Sequence, residues 1–144
     1  MLRPLTDLNL VARQDFTADA WILISGATGT WVAPTATGVG KPTAGDYCRP
    51  IFSESNRDGT AGFSPDITAT GKVTTLYGKL RALTDKYSGS PALGNKMSVT
   101  AAGVLEPQTG DVASTTALVA VCTKTAHSLT HLGTTYTVIE FETL

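Results

Sequence analysis

The sequence predicts an all-β protein, a small single-domain β-barrel or β-sandwich with an extended N-terminal arm over residues 1–15 and a β domain over 16–144. An internal repeat, a neutral threonine-rich composition and a β-rich C-terminal third predict it. Thr35-Ala36-Thr37-Gly38-Val39-Gly40-Lys41-Pro42-Thr43-Ala44-Gly45-Asp46 returns 65 residues later as Thr100-Ala101-Ala102-Gly103-Val104-Leu105-Glu106-Pro107-Gln108-Thr109-Gly110-Asp111, with seven identities in twelve positions. A degraded copy, Thr68-Ala69-Thr70-Gly71, lies between them, and its glycine is followed seven residues on by Gly78, with Lys79 in the place of the aspartate. Repeated Gly, Pro and Thr are the chemistry of turns between strands. Threonine is common, 24 of 144 residues, yet matches that include Pro and Gly-Asp favour duplication over coincidence. Gly38, Gly45, Asp46, Gly71, Gly78, Gly103, Gly110 and Asp111 therefore read as a turn framework. Because Lys79 replaces aspartate in one copy, the geometry recurs and the charge varies.

The length suits one domain with one core. A net charge of -1 and a charged fraction of 16% leave no basic stripe, which argues against nucleic acid and anionic membranes as partners. With 42% hydrophobic residues, much of the surface must be neutral Thr, Ser, Ala and Gly, a surface suited to packing against protein. Pro4 and Asp7 interrupt any signal-peptide core, and no apolar run approaches a membrane span, so synthesis in the cytoplasm is expected. Cys48 and Cys122 are too few for a disulfide scaffold and lie among β-forming residues, which favours buried free thiols.

Along the chain, Leu2, Leu5, Leu8 and Leu10 alternate with polar residues without a helical face. They read as an extended arm reaching a neighbouring subunit or, equally, as a strand of the domain's own sheet. Ala20-Trp21-Ile22-Leu23-Ile24, a Ser-Gly-Ala-Thr-Gly turn and Thr30-Trp31-Val32-Ala33 predict a hairpin with Trp21 facing Trp31. Tyr47 to Phe52 reads as an edge or bulged strand because of Pro50. Residues 53–66 are turn-forming throughout, and Arg57, Asp58 and Phe63 make their tip a candidate contact loop; a solvated Ω-loop is the bland alternative. From Lys72 to Tyr87 helical and strand periodicities compete, and Gly78, aligned with the repeat, favours two strands. Ser88 to Asn95 is a flexible connection, and Lys96 to Val99 a short strand. Ala117 to Cys122 and Tyr136 to Phe141 predict paired core strands joined by a polar connection ending at Gly133, with Thr137, Ile139 and Phe141 facing the core.

Catalytic chemistry finds no foothold in this pattern. Only His127 and His131 are available, between β-rich runs and without a Cys or carboxylate nearby in sequence as a third ligand, so they read as solvent-facing or subunit-contact residues. Gly45-Asp46 and Gly110-Asp111 read as turn entries, since aspartate bonds nearby amides, and not as an acid and base pair. The fragments Gly38-Val39-Gly40-Lys41 and Gly71-Lys72-Val73-Thr74 lack the spacing of a phosphate loop. No cofactor and no enzymatic activity are expected.

Short strands punctuated by Thr-Ala-x-Gly and Pro-x-x-Gly-Asp, a leucine-bearing arm and no catalytic set resemble the small head decoration, or capsid cement, proteins of tailed bacteriophages. The resemblance rests on Thr35 to Tyr47 and on Gly94 to Val121, including Gly103-Val104-Leu105 and Gly110-Asp111-Val112. It implies a compact β-barrel or β-sandwich on the exterior of the virion shell, with the major capsid protein and copies of itself as partners and no reaction to catalyse. Repeated modest contacts over a lattice would oppose internal pressure through multivalency. The contact candidates are Leu2, Leu5, Leu8 and Leu10 of the arm and Arg57, Asp58 and Phe63 of the loop. The alternatives are a glycan- or receptor-binding module of a tail or fibre, motivated by Trp21, Trp31, Tyr47 and Phe63, and another head or tail subunit.

Overall fold

Among the described residues, thirteen elements alternate with turns, many of them at glycines of positive φ. The computed structural model describes residues 1–25, 28–52, 71–131 and 133–144. In chain order they are β1 (Leu2–Pro4), a 3-10 turn (Leu8–Leu10), β2 (Ala12–Thr17), α1 (Ala20–Ser25), β3 (Trp31–Pro34), β4 (Val39–Gly40), β5 (Arg49–Phe52), β6 (Lys72–Tyr77), β7 (Arg81–Thr84), β8 (Lys96–Val99), β9 (Leu105–Pro107), β10 (Ala120–His131) and β11 (Thr134–Thr143). They form two antiparallel sheets, ordered β1-β7-β11-β10-β8-β9 and β2-β6-β5-β3-β4, one of them curled into a half-barrel. The main core lies between them. Trp31, Ala33, Phe52 and Leu76 enter it from the five-stranded sheet, and Leu2, Ala82, Met97, Val99, Leu105, Ala120, Cys122, Ile139 and Phe141 from the six-stranded one. Trp31 and Phe141 meet across it with ring centroids 5.7 Å apart.

The repeat has a structural counterpart. In its first copy the four residues Thr35 to Gly38 join β3 to β4: Thr35 N–H donates to Gly38 O at 2.8 Å, and Thr35 Oγ accepts from Gly38 N–H at 3.0 Å. In the second, Thr100 to Val104 join β8 to β9, with Thr100 Oγ accepting from Ala102 N–H at 3.2 Å. A threonine hydroxyl organises both loops. The glycine just before Asp46, Lys79 or Asp111 in each copy, Gly45, Gly78 or Gly110, sits at φ 85°, 89° or 79°, a left-handed conformation that glycine adopts without steric penalty. The copies diverge at the aspartates. Asp46 Oδ2 accepts from Thr43 N–H at 2.8 Å, whereas the donor that would serve Asp111, Gln108 N–H, goes to Lys96 O. Strands follow Gly45 and Gly78, but none starts at Val112; the predicted strand from Ala117 begins only at Ala120.

The N-terminal residues are extended, and they build the domain's own sheets. β1 pairs with β7, placing Leu2 opposite Thr84, and β2 pairs with β6 from Ala12 opposite Tyr77 to Thr17 opposite Lys72. Leu2 is fully buried, so it is a core residue and unavailable for contact with a capsid or a sister subunit. The Met1 carbonyl accepts from Thr84 Oγ at 2.8 Å, and the Met1 ammonium pairs with Asp85 at 2.8 Å.

The predicted strand at Ala20 to Ile24 is instead α1. Asp19 decides it: Oδ1 accepts from Ile22 N–H at 3.0 Å, an N-terminal cap that a strand would leave unused. The short helix is held by packing, since Ile22 is fully buried with Val32, Val39, Ile51 and Val73 on the outer face of the five-stranded sheet. Trp21 and Trp31 therefore do not face each other across a hairpin. β5 is likewise not an edge; it lies between β6 and β3. Ile51 N–H donates to Thr30 O in the direction of β3, so the Pro50 nitrogen is turned toward β6, where the ladder begins only at Ile51 opposite Thr75. The missing donor falls where no ladder bond is made. Lys72 to Thr84 gives two strands, as predicted, one in each sheet.

Candidate functional site

Two exposed regions stand out: a projecting hairpin and an arginine-centred patch. β10 and β11 are the longest strands among the described residues, and the segment predicted as a polar connection is itself paired, from His127 opposite Val138 to His131 opposite Thr134. Gly133, at φ 79°, forms part of the tip. β10 meets β8 only at Ala120 and Val121, and β11 meets β7 only from Ile139 to Glu142. Beyond those residues the ribbon has no further ladder partner among the described residues. Lys124, Thr125, Ala126, Ser128, Thr130, Thr134, Thr135 and Thr137 are exposed, a surface with one charge and many hydroxyls. Thr130 Oγ and Thr135 Oγ lie 3.1 Å apart across the strands. His127, Leu129 and His131 share the opposite face of β10, where Leu129 and Tyr136 pack against a small cluster of Met1, Leu83 and Val138. His127 Nδ1 lies 2.8 Å from Thr125 O, a backbone contact.

The second region is on the outer face of the five-stranded sheet, beside α1. Alternation along β5 turns Arg49 and Ile51 to that face, Tyr47 just before the strand lines the same cavity as Arg49, and pairing brings Tyr77 of β6 and then Gln14 and Phe16 of β2 alongside. The Arg49 guanidinium carbon sits 4.5 Å from the Tyr77 ring centroid and 5.9 Å from that of Phe16, and Nη1 donates to Gln14 Oε1 at 2.9 Å. Stacking and one hydrogen bond fix the head group. Next to it Phe16, Val32, Pro34, Val39, Tyr47 and Arg49 line a cavity of about 80 Å³. Tyr47 stands at its rim, 58% exposed. On the other face Arg13 lies 5.7 Å from the Phe52 centroid, in a groove of about 340 Å³ that also holds Asp15 and Thr74, whose hydroxyl donates to Asp15 Oδ1 at 2.6 Å.

Titratable groups serve structure where they are perturbed. Burial pushes the Cys48 thiol up to about 12, with Asp46 adding to the effect, and burial also raises Cys122, whose Sγ bonds to Lys124 O. Both are buried free thiols. Burial lowers the Met1 ammonium, against the favourable bond to Asp85. Among the described residues no three of His, Cys, Asp and Glu gather to hold a metal ion. No described helix is long and apolar enough to cross a membrane.

No family model, curated protein or solved structure matches this chain. The sequence-derived contact residues are dispersed. Leu5 and Leu10 are exposed, at 46% and 79%, and Leu8 is half-buried in the 3-10 turn against the main core. Arg57, Asp58 and Phe63 lie outside the described residues. The turn-framework glycines hold loops and close contacts: a Cβ on Gly38 would lie 2.1 Å from Thr17 O, and one on Gly103 would lie 2.7 Å from Trp31 O. Trp31 is buried and cannot offer its face to a sugar, whereas Trp21 is half-buried and lines an open groove with Lys41, Ala101 and Ala102. Sequence reading missed Arg49 and its neighbours. Alternation of Tyr47, Arg49 and Ile51 was the available signal, but Gln14 and Tyr77 join them only through strand register.

Proposed function

We propose that this chain is a structural virion protein that binds the outer surface of an assembled phage capsid and stabilises it. The observation that carries the reading is the projecting β10–β11 ribbon. It presents backbone edges and a neutral hydroxyl surface beyond the flanking strands of the two-sheet body, a form suited to adding a strand to a sheet of a neighbouring capsid subunit. Many equivalent sites on a shell would multiply such modest contacts. With Leu2 in the core, the ribbon takes the place of the N-terminal arm as the reaching element.

Co-sedimentation with undecorated heads tests it. Wild-type protein is expected to pellet with heads, and the double substitution Thr135→Lys and Thr137→Lys, which places charges on the ribbon, is expected to stay in the supernatant with an unchanged thermal transition. Absence of wild-type protein from the pellet at micromolar excess would end the proposal. A glycan-binding role is the second reading, favoured by the open groove of about 460 Å³ beside Trp21. Glycan binding by the wild type, abolished by Trp21→Ala, would support it over capsid binding.

A further inference from the structure

We propose that the cavity beside Arg49 is a docking site for a protein segment that carries an aliphatic side chain next to a carboxylate. The inference does not depend on the capsid reading. Its volume, about 80 Å³, is well below the ~300 Å³ at which small-molecule sites usually begin, and it suits one aliphatic side chain. Val32 and Val39 are buried valines beneath it, and the Phe16 ring forms part of the wall, so what enters must be apolar.

The charge requirement comes from Arg49. It is half-buried, and no carboxylate pairs with it among the described residues. Gln14 takes one of five guanidinium donors, and the rings of Tyr77 and Phe16 hold the plane in place. A cation oriented in advance, with donors to spare at the mouth of an apolar cavity, matches a carboxylate adjacent to the anchoring side chain. Arginine and tyrosine are the residue types that dominate binding energy at protein interfaces, and Tyr47 is exposed at this rim. The Arg13 groove lacks this electrostatic demand, because Asp15 already lines it. A sugar ring is too large and too polar for the cavity.

The test is a nitrogen-15 NMR titration of the full chain with terminally blocked Gly-Ser-Leu-Asp-Ser-Gly peptide at millimolar concentration. Saturable shifts are expected at the Arg49 side-chain Nε–H and at the Val39 and Tyr47 amides. Replacing the peptide's Leu by Gly, or its Asp by Asn, should each weaken binding about tenfold or more, the loss of one anchor or one charge-assisted bond. Arg49→Met should do the same while keeping the chain's thermal transition. The peptide variants test the idea even if that protein variant fails to fold. Absent or non-saturating shifts, equal binding of the Asn peptide, or shifts confined to other surfaces would overturn the proposal. So would saturable binding of a methyl sialoside at Arg49 without peptide binding, since the site would then be a glycan site.

Discussion

The two halves of the β10–β11 hairpin share strands and direction, yet only one of them is core. At the base, Cys122, Ile139 and Phe141 enter the main core, and Val138 and Glu140 on the opposite face are buried too. In the distal half nearly every second residue is exposed threonine or serine. Strand propensity does not distinguish them, because Thr, Tyr and Val suit either half. Neighbours do: β7 and β8 flank the base, and neither continues along the ribbon. The two register shifts in β10, between Cys122 and Lys124 and between Lys124 and His127, fall where it leaves β8. Extra residues there increase the twist and turn the ribbon away from the sheet. One pair of strands thus provides both a structural centre and a projecting surface.

The sharpest way to break this comparison is Ile139→Asp. Ile139 is fully buried in the main core, and an unpaired carboxylate there should cost more than ~4 kcal/mol, abolishing soluble expression. Normal soluble yield with an unchanged thermal transition would show that the base is not the centre it is taken to be. Arg81→Ala probes the opposite face of the same strand. Arg81 Nε donates to Glu140 Oε1 at 2.6 Å, and Nη2 bonds to the same oxygen. Glu140 is only 8% exposed, so leaving it unpaired should cost ~1–3 kcal/mol by denaturant unfolding. Adding Glu140→Gln should restore part of that loss, because the stranded charge is removed.

How much of this was legible before the structure follows from the same contrast. The all-β class, the two strands around Gly78 and the inward Ile139 and Phe141 were readable, because alternation and left-handed glycines are local signals, whereas Thr137, expected on the same inward face, is exposed where, among the described residues, no sheet flanks the ribbon. The helix at Ala20 was hidden behind an aliphatic run, although Asp19 carried a capping signal three residues before Ile22. The place of β5 between two strands was unreadable from Pro50, since which ladder a proline interrupts depends on the direction its nitrogen faces. The ribbon reads as a polar connection for a related reason: among its described residues Leu129 and Tyr136 alone make its apolar contact with Met1, Leu83 and Val138, and the threonines around them have the composition of a loop. The Arg49 patch draws on β2, β5 and β6, and only strand register joins them.

A smaller effect separates the buried sulfur beside the core from its unfolded state. The Cys48 thiol ionises at about 12 when folded, against an ordinary 9.0. Its neutral form therefore contributes stability that is complete below pH 9 and is lost as pH rises toward 12. At ~pH 10 the loss should be about 1 kcal/mol in wild type, and the Cys48→Ala variant should lack this component of the pH slope. An identical slope in both proteins would place the thiol in contact with solvent.

The smallest effect belongs to the ribbon, and its smallness is the informative part. Thr137 is exposed opposite Ser128, with no neighbouring strand beyond it among the described residues. Thr137→Ala removes only a cross-strand pair and should change stability by less than ~0.5 kcal/mol, with wild-type and variant transitions nearly superimposed. The distal amides should exchange with solvent faster than those of Ile139 and Phe141, because opening the ribbon leaves the core intact. A much larger loss, growing with protein concentration, would mean that free chains already cover the ribbon with one another, since stability gained by association follows mass action. Self-association would then compete with the proposed capsid binding for the same edge. A small, concentration-independent change leaves the ribbon uncovered in the free chain and available to a partner.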